Sequence, residues 1–320
     1  MKRKKTFRFK MVLAFFGYNL VFASILAPFI VFWGPFDSLK AMAVGSIATS
    51  RHPQVVEAFL SQSEIERISS LNSDTELIGQ VIGRTNVISD TTTGITIEDI
   101  KGASFKGKVM LIKDPKRIQL AVTKEIGVTG ERVSDMVKDM GGIAGINAGG
   151  FYDPNGKGNG AFPDGLTMHD GKLVHNNIGD KAVNIVGFDE KGKLILGSMT
   201  AKQLVEKNMR EAVTFEPNLI VDGKSLIKGD GGWGIAPRTG IGQMADGTVI
   251  FVVIDGRQPT WSIGANLRDL MQVFEDYHAV NAVNLDGGSS SELVYNGKVM
   301  NKLWNIFGER YVPTAFVVTP

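Results

Sequence analysis

Apolar and polar positions alternate with two different periods along this chain, and the change of period marks its elements. Val133, Met136, Val137 and Met140 fall at i, i+3, i+4 and i+7, which predicts a helix closed by Gly141-Gly142. Leu267, Leu270, Met271 and Phe274 repeat that spacing behind Asn266, a residue suited to an N-cap. Short β-rich runs occupy much of the remainder. Val109 to Ile112 and Gln119 to Val122 read as strands separated by an Asp114-Pro115 turn, and Leu194 to Gly197 and Leu293 to Val299 add glycine-punctuated strand segments. The pattern predicts an α+β fold: a mixed, strand-rich core with a few packing helices. Upstream, Val56, Leu60, Ile65, Ile68 and Leu71 give a partly amphipathic helical pattern within His52 to Leu71, suited to a stalk or packing helix.

Several apolar runs end in clusters of glycine and polar residues. Ile143 to Ile146 leads into Asn147-Ala148-Gly149-Gly150-Phe151, Val249 to Ile254 into Asp255-Gly256-Arg257, and Ala279 to Val283 into Asn284-Leu285-Asp286-Gly287-Gly288-Ser289-Ser290-Ser291-Glu292. Ala236 to Gly242 forms a further cluster. Four loops of one chemical kind suggest strand ends converging on one pocket. Asp286 and Glu292 supply acid, base or nucleophile, while Gly287 and Gly288 bring backbone N–H groups close to an anion. Taken alone, Asp-Gly is equally a hairpin turn.

Asn147 to Phe151, Pro237 to Gly242, Ile254 to Arg257, Asn284 to Glu292 and Arg310-Tyr311-Val312-Pro313 together resemble the motifs of the phosphodiester glycosidase family, in the same order, over roughly Thr96 to Pro320. The family includes the lysosomal uncovering enzyme and bacterial exopolysaccharide-related proteins. The resemblance implies cations on a phosphate and carboxylates on a sugar. Arg238, Arg257 and Arg310 are the expected phosphate ligands, and Asp286, Glu292 and Asp255 the expected catalytic carboxylates. Asn147, Asn284, Ser289 and Ser290, with Gly149, Gly150, Gly287 and Gly288, complete the expected binding set. Neither serine has a histidine neighbour in sequence, and His52, His169, His175 and His278 form no evident triad, so a turn-capping or binding role outranks a nucleophilic one. The polar glycine loop from Tyr152 to Gly165 follows a calcium-binding loop only in part, because Lys157 stands at a ligand position. A structural turn or substrate loop ranks ahead of a metal site there. No cofactor is expected, with a divalent cation such as Ca²⁺ left open.

Residues 1–10 carry six cations and precede the uncharged stretch 11–36, long enough to cross a bilayer. Its length and the distance to Ala41-Met42-Ala43 favour an uncleaved signal anchor over a cleaved signal peptide. Lysine and arginine retained inside then place residues 37–95, a stalk or connector, and the domain 96–320 outside the cytoplasm, in a cell membrane that is most simply bacterial. Setting the six leading cations aside leaves 29 Lys plus Arg against 33 Asp plus Glu, a balance of −4, which offers no broad surface for nucleic acid. With no cysteine, disulfides and thiolate chemistry are excluded. The expected activity is hydrolysis of a glycosyl phosphodiester in an envelope or extracellular polysaccharide. The alternative is a non-catalytic sugar-phosphate-binding scaffold working with polysaccharide-assembly proteins.

Overall fold

The structure, a computed structural model, describes residues 2–36, 40, 43–45, 47, 54–72, 83–154, 158–305 and 307–320. The expected loop residues Asn155 to Lys157, and the start of the upstream amphipathic pattern at His52, lie outside the described residues. The fold is α+β and strand-rich, behind one N-terminal apolar helix, Lys2–Trp33.

Among the described residues, three antiparallel sheets share the domain. The largest runs in the order Gly83–Asp90, Ile95–Lys101, Lys106–Ile112, Val249–Ile254, Arg238–Met244, Ala279–Leu285, Asn218–Val221, Lys224–Ser225. Its first hairpin therefore takes in residues upstream of 96. A second sheet contains Leu166–His169, Met209–Thr214 and Val183–Asp189 between two edge strands, and a third places Ala144–Asn147 between Leu293–Tyr295 and Thr314–Val318.

Period-two alternation explains how the largest sheet is buried on both faces. Val249, Phe251 and Val253 of the central strand face a core shared with Ile146 and Phe316 of the third sheet and Phe188 and Val213 of the second. Ile250, Val252 and Ile254 face the helix Leu267–Asp276, which returns Leu270, Met271 and Phe274. Asn266 caps that helix by accepting from the Asp269 N–H, and Asp269 reciprocates at the Asn266 N–H. The helix Val133–Asp139 covers the third sheet with Val133, Met136 and Val137.

One expectation is corrected. The Pro237 to Gly242 cluster, read as a loop, continues into the strand Arg238–Met244 in the middle of the largest sheet. Its glycines are there to make room for the helix: a Cβ at Gly240 or Gly242 would stand 2.9 or 2.8 Å from the Phe274 ring. The strand signal is lost because these positions carry no side chain.

Upstream, Gln54–Glu57 and Gln62–Asn72 are helical. Val56, Leu60, Ile65 and Ile68 bury themselves with Val44 and with Phe32 from the last turn of the long helix.

Candidate functional site

Sheet register brings the loops together. Arg238 pairs with Ile254 and Thr239 with Leu285, so the segments entering at 238 and leaving at 254 and 285 meet at one end of the sheet. The third sheet contributes Asn147 at the end of its strand. Asn147 is fully buried and fastens the loops to one another: its Nδ2 donates to the Asp286 carbonyl at 2.5 Å, and its Oδ1 accepts from Thr239 Oγ1 at 2.8 Å and the Glu292 N–H at 3.1 Å. Asp286 N–H also donates to the Ala148 carbonyl. Both ends of the Asn147 amide are thus spent within the protein. The glycines follow the same logic of close approach: a Cβ at Gly149 would meet Val213, one at Gly150 the Phe215 ring, and one at Gly287 the Pro237 carbonyl 2.9 Å away. Gly288 has φ +62 and supports the Arg257 guanidinium.

Asp286 and Arg310 form the centre of the arrangement. Arg310 Nη1 donates to Ser289 Oγ at 3.2 Å and Ser290 Oγ at 3.5 Å, its Nη2 pairs with Asp153 at 2.5 Å, and its guanidinium lies over the Phe151 ring. Asp286 is half-buried, and its Oδ2 is shielded from water without a hydrogen-bond partner in the protein. Desolvation pushes its carboxyl up to about 6, against the opposing pull of Ser290 and Arg310. A carboxyl so tuned exchanges a proton near neutral pH.

The other expected carboxylates occupy different surroundings. Glu292 is 2% exposed, and burial together with the neighbouring Glu309 pushes it up to about 10, while Glu309 is lowered by its hydrogen bonds with Glu292 and Ser134 in spite of its own burial. Arg132 and Asp135 also act on Glu292, whereas Asp286 responds to Arg310 and Asp153. Glu292 therefore belongs to a carboxyl pair beside the 133–139 helix in which Glu292 holds the proton and Glu309 is ionised. Asp255 is raised by burial but held by Trp261 Nε1 at 2.7 Å and the Lys302 N–H at 3.0 Å.

Arg238 is likewise committed. It is 3% exposed, donates to the carbonyls of Ala265, Trp233 and Gly234, and is depressed to about 10 by burial and by Arg257. Arg257 lies over Trp304 and against Gly288, close to the Asp286 loop. Asn284 Nδ2 donates to the Glu216 carbonyl, leaving its buried Oδ1 without a partner in the protein.

Four residues were not assigned a role in the sequence reading, among them Glu309, the partner of Glu292. Asp153 neutralises Arg310, Thr314 Oγ1 accepts the Gly149 N–H, and Asp164, raised by burial, approaches Gly150. Asp153 and Asp164 sit in the polar glycine loop, and Glu309 directly precedes Arg310, so proximity to motifs was the available signal. Among the described residues no group of three or more His, Asp or Glu is placed to hold a metal ion.

Residues 140–319 match the phosphodiester glycosidase family. The SPbeta prophage-derived protein YomE of Bacillus subtilis (strain 168) is 30% identical over 199 residues, covering 59% of this chain and 30% of its own length. The chain thus spans under a third of that curated relative. The fold is similar to that of the zebrafish N-acetylglucosamine-1-phosphodiester alpha-N-acetylglucosaminidase catalytic domain, solved auto-inhibited by its pro-peptide, at 21% identity and a TM-score of 0.59, covering 78% of this chain and 87% of that one. It is also similar to a hypothetical protein from Synechocystis, at 14% identity and a TM-score of 0.57, with 75% and 69% covered.

Proposed function

The chain belongs to the phosphodiester glycosidase family, and from that premise we propose that it hydrolyses a glycosyl phosphodiester, with Asp286 and Arg310 as the reacting pair. The observation that carries the reading is the unpartnered, desolvated Oδ2 of Asp286 beside the Arg310–Ser289–Ser290 group. Arg310 and Arg257 bind the phosphate, and Ser289 and Ser290 orient its oxygens. Asp286 in its ionised form takes a proton from a single water admitted with the substrate, as that water's oxygen bonds to the anomeric carbon. The carbon–oxygen bond to phosphate breaks, and its electron pair leaves with the phosphate monoester. Such a leaving group departs without an acid, so holding its growing charge supplies much of the rate. Asn147, Arg238 and Asp255 position the loops that carry these groups.

The helix Ala14–Trp33 is apolar and long enough to span a membrane, and a signal sequence has the same character. Burial of Phe32 among stalk residues supports a retained anchor, with the domain outside the cytoplasm and an envelope or extracellular polysaccharide as substrate.

The test is sugar release by the detergent-solubilised chain from a panel of α- and β-linked glycosyl phosphodiesters, with and without EDTA. Turnover that Asp286→Asn abolishes is the expected result. Tight binding with no release across the panel would instead identify a sugar-phosphate-binding scaffold.

A further inference from the structure

A cavity of about 610 Å³ opens beside the loop that carries Arg257. Lys101, Lys106, Lys108 and Lys302 line it, with Trp261 and Asp255. The sheet accounts for their convergence. Lys106 and Lys108 are two apart on one strand and share a face, and the neighbouring strand sets Lys101 opposite Lys106 and Asp99 opposite Lys108. Lys108 pairs with Asp99, which leaves Lys101 and Lys106 as like charges directly across a strand pair, an unfavourable arrangement for a sheet on its own. Lys302 brings a further cation from a loop, and its Nζ and that of Lys106 stand 5.1 and 3.7 Å from the centroid of the same indole. An indole has no net charge and leaves both ammonium charges in place. Among the described residues neither Lys106 nor Lys302 has a carboxylate within ion-pair distance. Asp255 has both carboxylate oxygens engaged, by the Trp261 indole and by Asn301 and Lys302 N–H groups.

The cavity and the candidate site share structure. Arg257 N–H donates to the Ile263 carbonyl, and Gln258 bridges Ser262, so one hairpin carries Arg257 and Trp261. Gln258 Nε2 holds the Lys302 carbonyl, and Trp304, two residues on, lies under Arg257.

We propose that this cavity is an anion subsite that takes a phosphodiester group of the polymer next to the linkage being cut, so that the protein acts on polyphosphodiester chains in preference to isolated glycosyl phosphates. Compact ammonium groups converging in a concave site focus field on such an anion. The inference extends the hydrolase reading and rests on it for the identity of the polymer.

The test uses the detergent-solubilised full chain, a hexamer of glycerol joined by phosphodiesters, and glycerol phosphate as the monomer, with binding followed by calorimetry. The wild type binds the hexamer at least tenfold more tightly than the monomer, and Lys106→Gln/Lys302→Gln removes that preference and lowers the slope of log affinity against log salt by about one to two. Lys302→Glu, at an exposed loop position, gives at least a fivefold loss and keeps the test decisive should the double variant fold poorly. Hexamer binding that is unchanged in these folded variants overturns the proposal. Competition by short-chain phosphatidylglycerol as strong as that by the hexamer overturns the polymer assignment in favour of a lipid headgroup. Because the hexamer carries no sugar and reports binding alone, lysine-dependent hexamer binding with no sugar release from the glycosyl phosphodiester panel removes the hydrolase reading alone, and sugar release from that panel with lysine-independent hexamer binding removes this one alone.

Discussion

The carboxyl of Asp286 keeps Oδ2 away from water and without a partner, so ionising it in the folded protein is costly. Its folded pKa of about 6 lies above the ordinary 3.8. The protonated form is therefore favoured by folding, and this stabilising contribution is complete below pH 3.8 and is lost as pH rises through 6. Asp286→Asn keeps the shape and removes the charge. The expected outcome is a gain of about 1–3 kcal/mol in unfolding free energy at pH 8, little gain at pH 3.5, and a loss of at least about a hundredfold in turnover. Thermal unfolding across pH, with kinetics on the same samples, checks both arms. The wild-type rate should rise with pH through a limb near 6. Glu292 has the same sign over a different window. Its raised value of about 10 means that stability is lost between pH 4.5 and 10, so Glu292→Gln should flatten the alkaline decline in melting temperature. Arg310 forms an ion pair with Asp153 while donating to two serines, and Arg310→Lys loses the fork that makes this possible. A KM increase of about ten- to a hundredfold is expected for it on any glycosyl phosphodiester turned over.

At the scale of elements, what the sequence revealed depended on whether side chains or their absence carried the signal. The stripe Leu267, Leu270, Met271, Phe274 behind Asn266 specifies its helix directly, because each apolar residue faces the sheet and the cap uses a local hydrogen bond. The unbroken apolar run Val249–Ile254 likewise specifies a strand buried on both faces. Arg238–Met244 was not legible as a strand: Gly240 and Gly242 erase its alternation to admit Phe274. The convergence of the segments at Asn147, Asp255 and Asn284 with the start of the Arg238–Met244 strand could be read from their shared composition, but the division of labour within them could not. Burial and partner geometry assign Asn147 and Arg238 to holding the loops and separate Glu292 from Asp286, and those are properties of register between distant strands. Asn147 makes the point testable. Asn147→Ala would leave the Glu292 N–H, Thr239 Oγ1 and the Asp286 carbonyl without their partner, at a cost of about 3 kcal/mol, measured by denaturant unfolding. A variant that weakened substrate binding but unfolded like the wild type would return Asn147 to the role of a sugar ligand.

At the scale of the whole molecule, the long N-terminal helix and the stalk are joined by packing as well as by covalent connection. Phe32, in the last turn of Lys2–Trp33, is 3% exposed against Val44, Val56, Leu60, Ile65 and Ile68, and Trp33 Nε1 donates to the Phe59 carbonyl. The same upstream segment reaches the domain, since a Cβ at Gly45 would lie 2.9 Å from the Gly234 nitrogen, in the loop whose carbonyls hold Arg238. The four core clusters of the domain, in contrast, begin at Ile95 and draw nothing from this segment. Removing residues 1–33 should therefore loosen the stalk while leaving the domain folded. Arg67, exposed on Gln62–Asn72, reports on the stalk through trypsin cleavage. Cleavage there should quicken at least about tenfold in the shortened chain, because removing Phe32 opens a cavity worth about 3–5 kcal/mol in a cluster that has six buried apolar residues among the described residues, and the domain's melting temperature should stay within about 2 °C. Equal protection of Arg67 in both chains would mean that the stalk folds without the helix, and the packing argument for a retained anchor would fall with it.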